Sequence, residues 1–185
     1  SDVITRYAKV VNESGAPVSV EKCMSLCLDL AGADYDVLTL YGCYGNEMNL
    51  RRNAVFSGNQ QVASRRGATG HNYNPFFAVC ERQADHSSGL VYGFNLVYSG
   101  NFLSEAELTS YMPASFVPYD MLRIQLGINP ENLSFSLRSG ECFYAPEAVM
   151  TCSARGIDGM SQNMHAFIRG HIMPPAAERP VVLNT

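Results

Sequence analysis

Two apolar runs dominate the chain: Pro75 to Cys80, and Leu90 to Tyr98, the second carrying Val91, Phe94, Leu96, Val97 and Tyr98. β-Branched and aromatic bulk of this kind suits a pleated, half-buried surface. The segment between them, RQADHSSG, is charged and small and ends in Gly89, which fits a hairpin loop better than a helix. The stretch from His71 to Phe102 is therefore expected to form a hairpin buried on at least one face, at the centre of the core.

The flanking sequence repeats this pattern in shorter units. Val3 to Val11 alternates with period two and predicts one strand, and Asn12 to Pro17 is a turn by its chemistry. Val18 to Leu30 predicts a second strand, with Val20, Met24, Leu26, Leu28 and Leu30 facing inward and Lys22 as the one misfit. Such alternation favours antiparallel pairing. After a turn at Ala31 to Asp34, Tyr35 to Tyr44 predicts a third strand, where Gly42 and Gly45 bracket Cys43 and Tyr44 and let the backbone bend. Asn46 to Gln61 reads as a polar connecting strand and loop, and Ser64 to Gly70 as irregular, hydrogen-bond-rich backbone. Glu105 to Tyr111, Met121 to Ile128, Leu133 to Leu137 and Phe143 to Cys152 predict further strands. Short strands separated by Gly, Pro and Asn turns indicate a mainly β protein, a large antiparallel β-sandwich of the supersandwich type.

One helix is expected, with Asp158 as N-cap, with Met160, Met164, Phe167 and Ile168 on one face, and with Gly170 and Pro174 stopping it. Pro and Ala from Met173 to Glu178 mark a linker, and Arg179 to Thr185 opens a new run without a closing element. The chain thus reads as an excised piece: residues 1–173 a sandwich incomplete at its N-terminus, residues 174–185 a linker into whatever follows.

Composition narrows the function. The chain has 185 residues, 46% of them hydrophobic, enough for one well-buried domain. A net charge of −4 with 16% charged residues provides no basic field for nucleic acid. No run approaches the roughly 20 apolar residues of a membrane span. Cys23, Cys27, Cys43, Cys80, Cys142 and Cys152 form no CxxC pair and read as reduced structural thiols, which suits a cytoplasmic setting.

Candidate chemistry is sparse. Hydrolysis of a glycosidic bond needs two facing carboxyl groups. The closest-spaced carboxylates, Asp34 and Asp36, sit at a turn exit, and Glu105 and Glu107 on what reads as a solvated strand face. No G-x-S-x-G elbow accompanies His71, His86, His165 or His171, and the scattered histidines and carboxylates form no metal-ligand cluster.

Several blocks, however, occur in a recognisable order: DVITR, SRRGA at Ser64 to Ala68, HNYNPFF, VYGFNLVYSGNF, GMSQNMH and RPVVLN. Together they resemble the amino-terminal domain of glycoside hydrolase family 36 α-galactosidases. The resemblance implies a non-catalytic β-sandwich of a retaining enzyme that hydrolyses terminal α-galactosyl residues from oligosaccharides of the raffinose and melibiose type. It places both catalytic aspartates in a barrel that follows in the same polypeptide, implies a homo-oligomer, and calls for neither cofactor nor metal. Members commonly carry tryptophan in a G-x-W block where this chain has Tyr44, so the resemblance implies a sugar-contacting role for Tyr44 at the pocket rim. Arg65, Arg66, His71 and Asn74 lie in a matching block, with arginine forks expected to tie loop carbonyls and carboxylates together. The alternative is a free-standing carbohydrate-binding sandwich, which would display aromatics on one sheet face.

Overall fold

The computed structural model describes residues 2–174 together with 181 and 183. Its elements are β1 (Val3–Arg6), β2 (Lys9–Val11), β3 (Val18–Val20), β4 (Met24–Ala31), β5 (Tyr35–Cys43), β6 (Asn46–Ala54), β7 (Gly58–Ala63), β8 (Tyr73–Glu81), β9 (Val91–Leu96), β10 (Phe102–Tyr111), β11 (Tyr119–Ile128), β12 (Phe135–Leu137), β13 (Cys142–Tyr144), β14 (Ala148–Ser153) and α1 (Gly156–Phe167). A six-stranded sheet, ordered β1-β14-β9-β8-β5-β6, faces a three-stranded sheet, β10-β11-β4, and every ladder in both is antiparallel. Two small ribbons, β12-β3 and β13-β2, close one end.

The expected central hairpin is β8 and β9, paired from Phe77 opposite Phe94 to Cys80 opposite Val91 in the interior of the larger sheet. Alternation decides what each of its faces meets. Phe77, Val79 and Phe94 point at Leu26, Leu122, Ile124 and Leu126 of the smaller sheet. Ala78, Cys80 and Val91 point the other way, under Met160 and Met164 of α1. The molecule is therefore three layers deep, with the hairpin buried on both faces.

Four expected strands are divided. Val3 to Val11 breaks after Arg6 into β1, on the edge of the large sheet, and β2, in a ribbon. Val18 to Leu30 breaks at Glu21-Lys22-Cys23 into β3 and β4, and the misfit Lys22 marks that break, with Nζ 3.7 Å from Glu105 Oε1. Asn46 to Gln61 is two strands, β6 and β7, and Phe143 to Cys152 is split into β13 and β14 around Pro146, which cannot donate to a ladder. Local alternation runs through each of these corners, because period two records burial and not which sheet supplies it.

Helix α1 begins at Gly156, and Arg155, not Asp158, occupies its N-cap without a side-chain bond. Its first N–H groups are satisfied by the β8–β9 loop instead: Gly156, Ile157 and Asp158 donate to the carbonyls of Gly89, Asp85 and His86 at 3.1, 3.0 and 2.9 Å. Gly156 has φ 63°, and a Cβ there would lie 2.4 Å from Asp85 O. At the far end Gly170 does not stop the chain, which continues as a π-helical turn over Ile168–Ile172. All but the first two residues of the expected linker, and most of the run after it, lie outside the described residues.

Candidate functional site

Tyr44 and Gly45 form the tight connection between β5 and β6, with Cys43 opposite Asn46. Gly45 takes φ 78°, a conformation that costs glycine little, and its N–H donates to Glu47 Oε1 at 2.9 Å. Gly42 sits at a register slip between Tyr41 and Cys43, and a Cβ there would meet Asn46 O at 2.4 Å and Glu47 Cα at 2.7 Å. These two glycines turn the strand end outward and leave Tyr44 91% exposed, the tip of the hairpin.

The Ser64–Asn74 segment braces this tip. Arg66 Nη1 donates to Asn72 Oδ1, and Asn72 Nδ2 donates to the Gly42 carbonyl at 3.1 Å. Asn74 accepts from its own strand at Phe76 N (2.9 Å) and lies against Met48 Sδ (3.7 Å), where Met48 holds φ 59°. Arg65 pairs with Glu131 at 2.6 Å, anchoring the segment to the β11–β12 connection. The His71 side chain bonds to none of the described residues. The expected structural role of Arg65, Arg66 and Asn74 therefore has a definite object: they hold the loop on which the Tyr44 turn rests.

The arginine fork that binds several loop carbonyls is Arg52, set in the polar stretch Asn46 to Gln61. Its Nε lies 2.6 Å from Asp36 Oδ2, Nη1 donates to Ala84 O at 2.6 Å, and Nη2 donates to Arg82 O at 2.7 Å and Glu81 O at 3.2 Å. Strand alternation put Arg51 and Arg52 on opposite faces, and that was the available signal.

Three of the four candidate carboxylates are already engaged. Asp36 is held by Arg52, and Asp34 pairs with Arg82 at 3.2 Å. Glu105 corrects the expectation of a solvated face. It is only 8% exposed, accepts from Asn59 Nδ2 at 2.8 Å and lies beside Lys22, while its neighbour Glu107 is exposed. Among the described residues no three or more His, Cys, Asp or Glu side chains gather as a metal site would require. The cysteines are free thiols, but only Cys80 is a buried hydrophobe as expected, and burial raises its pKa. Cys27, Cys43 and Cys152 face solvent.

Comparison with known proteins agrees with this fold. Residues 1–138 match the family model described as the glycosyl hydrolase family 36 N-terminal domain. The α-galactosidase AgaA of Geobacillus stearothermophilus is 39% identical over 99% of this chain but only 24% of its own length. The bifunctional α-galactosidase/sucrose kinase AgaSK of Mediterraneibacter gnavus is 36% identical over 100% of this chain and 19% of its own length. A crystal structure of an AgaA variant in complex with raffinose superposes with TM-score 0.88 at 38% identity, covering 97% of this chain and 24% of that one. The chain spans about a quarter of the length of the AgaA relative it matches. The chain therefore belongs to glycosyl hydrolase family 36, in which it is a β-sandwich of the N-terminal domain type.

Proposed function

We propose that this chain is the non-catalytic N-terminal sandwich of a retaining α-galactosidase that removes terminal α-galactosyl residues from raffinose- or melibiose-type oligosaccharides. The observation that carries this reading is the combination of a whole-chain match at 39% identity with coverage of 24% of the relative. Residues 1–173 form the sandwich in this proposal, and residues 174–185 lead into a catalytic barrel of the same polypeptide. The engagement of Asp36 and Glu105 by Arg52, Asn59 and Lys22 supports placing the reacting carboxyl pair in that barrel. The sandwich would brace the barrel and present Tyr44 at the pocket rim, where an exposed ring on a rigid turn can stack against the apolar face of galactose.

Two further parts belong to the same reading. The β10–β11 hairpin end exposes Met112, Phe116 and Val117 together, an apolar patch that a second copy in a homo-oligomer would cover. Six free thiols suit a reducing, cytoplasmic compartment.

Kinetics of the parent enzyme test the role of Tyr44. Tyr44→Ala is expected to lower kcat/KM for a chromogenic α-galactoside about ten-fold, mainly through KM, while Tyr44→Phe keeps most of it. Wild-type constants for Tyr44→Ala would remove the residue from the site. The free-standing carbohydrate-binding alternative is favoured by no observation at Tyr44, which stands alone at its turn.

A further inference from the structure

The inner face of the large sheet is apolar along most of its length, as a sandwich requires, but changes character at the β5–β6 end. There a small cleft of about 160 Å³ opens between β5, β6 and β8 on one side and β7 on the other. Two tyrosines that are Cα partners across the β5–β8 ladder, Tyr41 and Tyr73, line it side by side and remain 40% and 44% exposed. Planar polar groups also line it, Arg51 and Asn53 from β6 and Gln60 and Gln61 from β7, beside the apolar Val37, Leu40, Val62 and Phe77.

Most of the hydrogen-bonding capacity of these polar groups is unmet among the described residues. The Arg51 guanidinium lies over the Tyr41 ring, 4.3 Å from its centroid, and its donors meet no acceptor among the described residues. Arg52, one position along the strand, satisfies a carboxylate and three carbonyls on the opposite side. The side chains of Asn53 and Gln61 and the hydroxyls of Tyr41 and Tyr73 likewise form no hydrogen bond with a described residue. Gln60 donates through Nε2 to Ala54 O at 3.1 Å, which leaves Oε1 buried without a donor.

We infer that this cleft is a saccharide-binding site separate from the Tyr44 turn. The Tyr73 ring offers an apolar platform for the C–H face of a pyranose beside the Arg51-capped Tyr41, and flat Arg, Asn and Gln groups match vicinal hydroxyls, each of which both donates and accepts. A phosphate-bearing ligand would find only one cation here, and a purely apolar ligand would strand the polar rim. The cleft is smaller than the roughly 300–1,000 Å³ of pockets that enclose a drug-sized ligand. It therefore holds one sugar ring, with the rest of the chain outside. The choice of an α-galactosyl saccharide rests on the function proposed above; the site itself rests on the cleft.

The test is affinity electrophoresis of the whole parent protein through gels containing galactomannan, which bears α-galactosyl branches. The wild-type protein is expected to be retarded relative to a polysaccharide-free gel. Tyr73→Ala and Arg51→Gln each weaken the retardation on the order of five-fold, while Tyr73→Phe, which keeps the ring, does not. Should melting curves show Tyr73→Ala unfolded, Arg51→Gln decides. Absence of retardation, or equal retardation of wild type and Arg51→Gln, overturns the site. Hydrolysis of an aryl α-galactoside is read on the same samples. Retardation without hydrolysis keeps the cleft and removes the α-galactosidase reading, and hydrolysis without retardation does the reverse.

Discussion

Adjacent residues in this domain do opposite work, and β6 makes the contrast measurable. Arg52 joins β6 to the β8–β9 loop through one carboxylate and three carbonyls, so its removal leaves the part-buried Ala84 carbonyl and the Asp36 carboxylate without partners. Arg52→Met is expected to destabilise the domain by about 2 kcal/mol in urea unfolding, and Arg51→Met by less than about 1 kcal/mol. Equal effects would contradict the division of labour between them. Gly42→Ala forces a Cβ against backbone at 2.4 Å and should cost about 2 kcal/mol. In the parent it should also raise KM as Tyr44→Ala does, because the turn that carries the ring must shift. The chain's own pattern already held Gly42, Tyr44 and Gly45, since paired glycines around an aromatic residue point to a sharp turn. The Arg52 fork was not legible there, because its partners lie 29 to 32 residues away in a loop whose path depends on the fold.

At the scale of elements, the strands with strong alternation and one sheet to belong to were readable: β5, β8, β9 and β11 lie where the hydrophobic period puts them. Strands that hand the chain from one sheet to another were not. The hydrophobic period passes through Arg6-Tyr7-Ala8 with little interruption, and at Glu21-Lys22-Cys23 only Lys22 interrupts it. The helix was found from its apolar stripe, but its start was misplaced because loop carbonyls of Asp85, His86 and Gly89 take the role a capping side chain would fill. Met160 carries that helix onto the sheet at 2% exposure, and a Cβ on Gly93 would meet its Sδ at 2.6 Å. Met160→Ala should therefore cost about 2–4 kcal/mol by the cavity it leaves. The β4–β11 ladder supplies a pH signature. Two 2.8 Å bonds from Arg123 hold the Asp29 carboxyl below the usual carboxylate range. Because the folded value is the lower one, this stabilisation is complete above the unfolded pKa, near 4, and is lost as pH falls through the folded value. Thermal melts of Asp29→Asn should accordingly fall less steeply than wild type below about pH 4, and identical slopes would remove this pair from the acid response.

For the molecule as a whole, the six-strand and three-strand sheets, the helix layer and the braced Tyr44 turn describe a scaffold that presents side chains at its ends and keeps Asp36 and Glu105 engaged. The sandwich was legible because antiparallel alternation is a local signal. The asymmetry between its sheets was not, since strand order is set by long-range pairing. The resemblance to the family was legible in block order, and the proposed function puts the chemistry outside this domain. The most direct measurement is turnover of a chromogenic α-galactoside by two proteins side by side: this 185-residue chain, and the longer parent polypeptide proposed to contain it. Activity in the parent with none above background in the chain is the expected result. Turnover by the chain alone, or a parent inert toward every α-galactoside offered, would contradict the account.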